Sequence, residues 1–149
     1  MSFESEFKME SQNAIKAAEE TVKVTAFDAF NTAVIISPVA NKELWINPPK
    51  GPVVGGRFRS NWNLSFSSFD DSTTDSVVSQ QQKLGELNQI FTAQYSGSYI
   101  YSNNLPYAVP LDEGHSSQAP TGITDVVAMR IKARIPEIAR AANRKYKVS

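Results

Sequence analysis

The chain has 149 residues, 41% apolar and 20% charged, and its fifteen basic and fifteen acidic side chains cancel. A chain of that length is most simply one domain, 1–149, and about 68–70% of the unfolded surface can be buried in a core. No run nears the ~18 apolar residues of a membrane span, no cysteine is present for disulfides or thiolate chemistry, and zero net charge gives no overall drive towards nucleic acid.

The opening MSFESEFKMES has neither the basic start nor the apolar stretch of a signal peptide, so a cytosolic protein is expected. Residues 1–12 read as a flexible arm. From Phe7 to Ile35 the spacing predicts a helix, with Ile15, Ala18, Val22, Ala26, Phe30 and Val34 on one stripe and Phe27 beside them. The β-branched run Thr21 to Thr25 weakens that helix locally. A core helix lying on a sheet is the plain expectation; first turns that reach a neighbour are the functional one. Ser37 to Gly56 is a long connection broken by Pro38, Pro48, Pro49, Gly51, Pro52, Gly55 and Gly56, with Trp45 and Ile46 as anchors. Its Gly51–Gly56 part lacks the lysine and hydroxyl residue that end a phosphate loop.

Arg57 to Ser67 alternates, with Phe58, Trp62, Leu64 and Phe66 on one side and Arg59, Asn61, Asn63 and Ser65 on the other. That pattern predicts a half-buried strand with one wet face. Ser68 to Ser79 is polar and reads as a mobile loop. Its Asp70, Asp71 and Asp75 lack the spacing of a calcium loop. A short helix is expected from Asp75 onward, capped by Asp75 or Ser76, with Val77, Leu84, Leu87 and Phe91 on its apolar face and Gly85 weakening it. Tyr95 to Tyr101 predicts a second strand, antiparallel to the first. Ile123 to Lys145 predicts a helix with Thr124 as cap and a kink or restart at Pro136; the alternative is a strand from Val126 to Ile135 with a helix beginning at Pro136. Residues 144–149 read as a flexible tail. The fold class expected is α+β: a small antiparallel sheet packed with a long N-terminal and a C-terminal helix, plus long ordered loops.

Charge is unevenly placed. The first twenty residues hold Glu4, Glu6, Glu10, Glu19 and Glu20 against two lysines, and the last twenty hold seven cations against Glu137. Solvated helix faces are one explanation. Pairing of one subunit's N-terminal segment with another's C-terminal segment is the other.

The stretch Ser98 to Gly122 organises the rest. Leu105, Val109 and Ala119 each precede a proline and are biased to extended backbone. Asn103 and Asn104 tolerate left-handed angles and bond their own main chain. Structureless loops longer than about 12–15 residues are uncommon in compact domains. Tyrosines and prolines argue for a loop ordered by contact, with its own domain or with a neighbour.

Tyr99, Ile100, Asn103-Asn104-Leu105-Pro106-Tyr107-Ala108, then Leu111, Gly114, Ser116, Gln118-Ala119-Pro120 and Gly122 run as "YI-NNLPYA" followed by "S-QAP-G". Asp112-Glu113-Gly114 supply the acidic and glycine positions, and His115 stands where an aromatic residue is common. An earlier block, Pro38-Val39 and Gly55-Gly56-Arg57-Phe58-Arg59-Ser60-Asn61-Trp62, is similar to "TPV-TG-LR-NW" with a longer spacer and Gly55-Gly56 for threonine-glycine. These motifs resemble the tail-completion (neck, head–tail joining) proteins of tailed bacteriophages, the group that includes the lambda minor tail protein Z.

The resemblance implies a structural virion protein, a tail-completion or tail-terminator component, assembled in the host cytoplasm. It implies a homo-oligomeric, hexameric ring meeting neck, connector and tail-tube or sheath proteins, with DNA passing through the lumen without sequence-specific binding. Interface residues are then expected at Asn103, Asn104, Leu105, Pro106, Tyr107, Gly114, Gln118 and Pro120, with Arg57 and Arg59, and Leu105 and Tyr107 as apolar anchors. No enzymatic activity, cofactor, metal or membrane contact is expected. His115 is the one histidine; neighbours in sequence do not make a catalytic triad, and zinc sites need three or four clustered ligands. The alternative is a nucleic-acid-associated protein using the basic C-terminal segment, and a further one a small hydrolase working through His115.

Overall fold

The computed structural model describes residues 2–39, 55–114, 116 and 118–149. In chain order the elements are α1 (Phe3–Ile36), α2 (Arg57–Ser60), β1 (Trp62–Ser65), α3 (Gln80–Glu86), α4 (Gln89–Thr92), β2 (Ile100–Asn103), α5 (Ala108–Asp112) and α6 (Thr124–Lys145). The fold is α+β, as expected. Among the described residues no helix is long and apolar enough to cross a membrane. Trp45, Ile46 and most of the Ser37–Gly56 connection, including its Gly51–Val54 stretch, lie outside the described residues, as does His115.

Helix α1 starts earlier than its apolar period suggests, because Ser2 caps it. The Ser2 side chain accepts a hydrogen bond from the Ser5 amide, and Glu4 and Glu6 in the first turn suit the positive end of the helix dipole. Residues 3–12, expected as an arm, continue this helix. The threonines do not break it: the hydroxyls of Thr21, Thr25 and Thr32 donate to the carbonyls four residues back. The helix ends at Ser37, whose hydroxyl donates to the Ala33 carbonyl and accepts from the Trp62 indole at 2.8 Å.

Helix α6 lies antiparallel along α1. Asp28 of α1 takes Arg130 and Arg134, each at 3.3 Å, and Glu20 takes Lys145 and Tyr146. The uneven charge is thus partly answered inside one chain. Pro136 neither ends nor restarts α6, which is a single helix of 22 residues, and the alternative strand at Val126–Ile135 is not formed. Thr124 is not its cap either. The cap atoms come from Asp112, described below.

The sheet has two antiparallel strands in the register Trp62↔Asn103, Asn63↔Ser102, Leu64↔Tyr101 and Ser65↔Ile100. The expected strand over Arg57–Ser67 is shorter. Its first four residues form the helical turn α2, opened by Gly56 at φ +97°. Phe58 and Trp62 are four apart, a spacing that fits both a strand face and a helical face, so alternation could not separate the two. The second strand begins at Ile100 rather than Tyr95. Side chains nonetheless continue the pairing beyond the backbone ladder, with Phe66, Tyr99 and Tyr95 packed at 5.7 and 6.2 Å.

The polar stretch 68–79 contains no helix; the helix expected from Asp75 starts at Gln80, with Ser79 as its cap. The stretch is held by side chains of the body. Asn61, 1% exposed, donates to the Thr74 carbonyl and accepts from its amide, and Asn63, Asn104 and Ser60 hold Ser72, Asp70 and Val78. Lys83 of α3 is buried. Its ammonium donates to the Trp62 carbonyl at 2.8 Å and pairs with Glu86 at 2.8 Å.

The core gathers Ala33, Val34, Phe58, Trp62, Leu105 and Ile123. An aromatic file crosses it: Phe30 stacks on Tyr101 at 4.7 Å, Tyr101 on Trp62 at 5.1 Å, and Phe58 meets Trp62 edge-on at 5.7 Å. Such pairs add about 0.5–1.5 kcal/mol each beyond area burial. The apolar stripe expected on α1 is buried only in its second half. Val34 is fully buried and Phe30 is partly covered, but Ile15, Ala18 and Val22 are exposed.

Candidate functional site

The residues singled out in the loop after β2 separate into those that build the loop and those that face outward. Asn103 donates to the Phe58 carbonyl at 2.8 Å and accepts from the Leu105 amide at 3.3 Å, which turns the chain off the sheet. Asn104 reaches the Asp70 carbonyl at 2.8 Å. Leu105 is 4% exposed and sits in the chain's own core. It anchors the loop to its own domain and has no surface left for a partner.

Pro106 and Tyr107 form the turn that precedes the short helix α5, and both are exposed, the Tyr107 ring lying 6.2 Å from Phe58. Val109, read from the sequence only as the residue before Pro110, is 65% exposed beside it. Tyr107 and Val109 are therefore the apolar groups this loop offers outward.

The second half of the loop is closed by two glycines. Gly114 has φ +87°, and a Cβ there would run into the Pro120 carbonyl. Gly122 has φ +81°, and a Cβ there would run into the Asp112 carbonyl. Both positions need left-handed backbone and close approach, so only glycine fits without strain. Gln118 makes a paired contact: its amide nitrogen donates to the Val39 carbonyl at 2.7 Å and its oxygen accepts from the Val39 amide at 3.0 Å. That joins the loop to the end of the N-terminal segment. Pro120 is exposed.

Asp112 links the loop to α6. One carboxylate oxygen accepts from the amides of Ile123 at 3.1 Å and Thr124 at 2.7 Å, and the other from the Thr124 hydroxyl at 2.7 Å. Burial pushes its pKa up, but these three hydrogen bonds to the charged form outweigh that and hold it below the usual carboxylate value. Arg57 pairs with Asp75 at 2.9 Å, and the Arg59 guanidinium lies against Gly56. These arginines belong to α2, which the loop touches through Asn103.

Between α5 and the aromatic file lies an open cleft of about 340 Å³, with Phe58, Trp62 and Tyr101 on one wall and Ala108, Val109, Asp112 and Glu113 on the other. The Tyr101 phenol is buried with no hydrogen-bond partner among the described residues, and burial, with the nearby Glu86 charge, pushes its pKa up. An apolar cleft with a carboxylate rim suits an aliphatic or aromatic side chain presented with a cation. Among the described residues no three histidine, cysteine, aspartate or glutamate side chains come together to hold a metal ion.

Compared with known proteins, the chain matches no family model, no curated protein and no solved structure.

Two structural residues of this region carried no signal as such in the sequence. Asp112 was readable only as an acidic position in a motif, since its partners are 11 and 12 residues away. Asn61 looked like a wet-face residue of a strand.

Proposed function

We propose that this chain is a structural subunit of the neck of a tailed bacteriophage, a tail-completion or tail-terminator component that works as a ring joining tail to head. The observation that carries the reading is the loop Asn103–Gly122. Six of the residues on which the resemblance rests have a specific task in it: Asn103 and Asn104 turn it, Leu105 roots it, Gly114 and Gly122 close it, and Gln118 ties it to Val39. A loop so fixed presents Tyr107, Val109 and Pro120 outward in a set arrangement, which is what a docking surface needs.

In this reading the chain is not an enzyme. It has neighbours in the connector and the tail tube or sheath, and its ring encloses passing DNA. Negative-stain images and native mass of the purified protein, alone and mixed with the products of the neighbouring genes, test it. Rings with a central opening, built into joined particles, are the expected result. A protein that stays monomeric in every mixture overturns it. So does joining that proceeds normally with Tyr107→Ser and Val109→Asp in a chain that still folds.

A second reading, nucleic-acid binding, is favoured by Lys132, Arg140 and Arg144, which are exposed on α6 and lie outside the ion pairs to α1. A DNA mobility shift that weakens steeply with salt would favour it.

A further inference from the structure

Helix α1 is longer than the helix it lies on. Glu20 meets Lys145 and Tyr146 at the C-terminal end of α6, and Ala17 is the first buried residue of α1. Residues 3–16 therefore run on past the pair for about 20 Å at 1.5 Å per residue. A lone helix of that length is marginal in water. This one also carries an apolar stripe. Phe3, Phe7, Ala14, Ile15, Ala18 and Val22 share one face and are all exposed, with Phe3 83% and Phe7 63% exposed and their rings stacked at 6.3 Å. Single exposed apolar side chains are ordinary, whereas a contiguous run of them marks a contact surface. Ile15 and Val22 of the stripe are turned away from Ala17, Glu20 and Asp28, the side that meets α6, while Phe3 and Phe7 lie beyond the end of that helix.

We infer that the arm docks on the outer face of α6 of a second copy of this chain. This rests on the reading above only in expecting self-association. The outer face of α6, opposite the buried Ile138 and Ala142, exposes Met129, Lys132, Ala133, Pro136, Arg140 and Arg144 at helical spacing. It combines apolar or small side chains with three cations. The arm from Phe3 to Glu10 combines two phenylalanines with Glu4, Glu6 and Glu10 against Lys8 alone. The inner face of α6 already shows this chemistry, because Arg130, Arg134 and Lys145 there bind Asp28 and Glu20 of α1. The outer face offers the same pairing to the acidic part of another α1. Each phenylalanine can bury about 150–250 Å². With the covered partner surface and the rest of the stripe, the contact approaches the ~1,000 Å² expected of a specific interface.

The two surfaces differ, so one contact joins one arm to one α6 face. A single such contact leaves an arm and an α6 face open, and association ends when these are filled, reciprocally in a two-fold dimer or around a larger ring.

Two charge-reversed proteins test this, with mass measured across a concentration series and folding checked by circular dichroism. One carries Glu4→Lys, Glu6→Lys and Glu10→Lys; the other carries Lys132→Glu, Arg140→Glu and Arg144→Glu. The wild type is expected to self-associate. Each variant alone should associate at least tenfold more weakly, and mixing the two should restore assembly, because every arm then faces an opposite charge. Phe3→Ser with Phe7→Ser should weaken association while leaving the fold intact. Undiminished assembly of the α6 variant alone overturns the inference in favour of arm-to-arm contact. Undiminished assembly of both variants overturns it while leaving a ring built through the loop standing. Failure of the mixture to reassemble, or a wild type that is monomeric throughout, also overturns it.

Discussion

Asp112 lies in a proline-rich loop and does its work at the start of α6. Helix N-termini leave their first amides without partners, and here the carboxylate reaches back to take those of Ile123 and Thr124. Losing a cap costs about 0.5–2 kcal/mol, so Asp112→Ala should lower stability to urea by that amount at pH 7. The pH dependence follows from the direction of its shift. The folded pKa lies below the unfolded value of about 3.9. The contribution is therefore fully present above about pH 4 and fades as pH falls through the folded pKa. The wild type should lose its advantage over Asp112→Ala on going from pH 7 to the most acid pH at which both still fold. Asp112→Asn keeps an acceptor and should lose less at pH 7, with a difference from Asp112→Ala that does not change with pH. Urea midpoints at unchanged slope are the measurement.

At the level of elements, α6 holds a residue that should not suit it. Pro136 lacks an amide hydrogen, and its ring crowds the carbonyl of Lys132, which ordinarily costs about 3 kcal/mol in a helix interior. The helix continues through it because Ile138 and Ala142 on one side are buried against α1, with the Asp28 and Glu20 pairs on either side of them. Tertiary packing outweighs the local penalty. Pro136→Ala should then raise stability, by about 1–3 kcal/mol and several degrees in Tm, read by thermal melts in dilute solution; no gain would mean that the helix is already bent to accommodate the ring. This conflict also explains what was legible in the sequence. The long helices were, because a 3.6-residue period repeated over many turns survives one proline or a few threonines. The start of the strand expected over Arg57–Ser67 was not, because the spacing of Phe58 and Trp62 serves either periodicity and Gly56 at left-handed φ decides for a turn before β1 begins at Trp62. The antiparallel pairing of the two strands was legible, and their ends were not, since Asn103 looked like loop and holds a ladder position opposite Trp62. In the candidate site, the shape-giving glycines and asparagines could be picked out by residue type. Leu105 could not be told from a surface anchor, since burial is a property of the whole fold.

For the whole molecule, order is concentrated at one end and falls away along α1. The core of Val34, Phe58, Trp62, Leu105 and Ile123 gathers where α1 ends, the sheet lies and α6 begins. Beyond Ala17, described contacts thin to helix backbone and the Phe3–Phe7 stack. Local opening free energies follow such contact density. Amides of residues 6–14 in dilute protein should therefore exchange with solvent orders of magnitude faster than those of residues 29–36. If the arm is held by a neighbouring copy, its exchange should slow as concentration rises through the assembly range, while that of residues 29–36 stays unchanged. Hydrogen exchange followed by mass spectrometry at several concentrations separates the cases. Uniform protection along α1 at every concentration would mean that the helix is held by its own chain to the tip. Concentration-dependent protection confined to the arm, and lost in Phe3→Ser with Phe7→Ser, would place the gain at the apolar stripe rather than at the charges beside it.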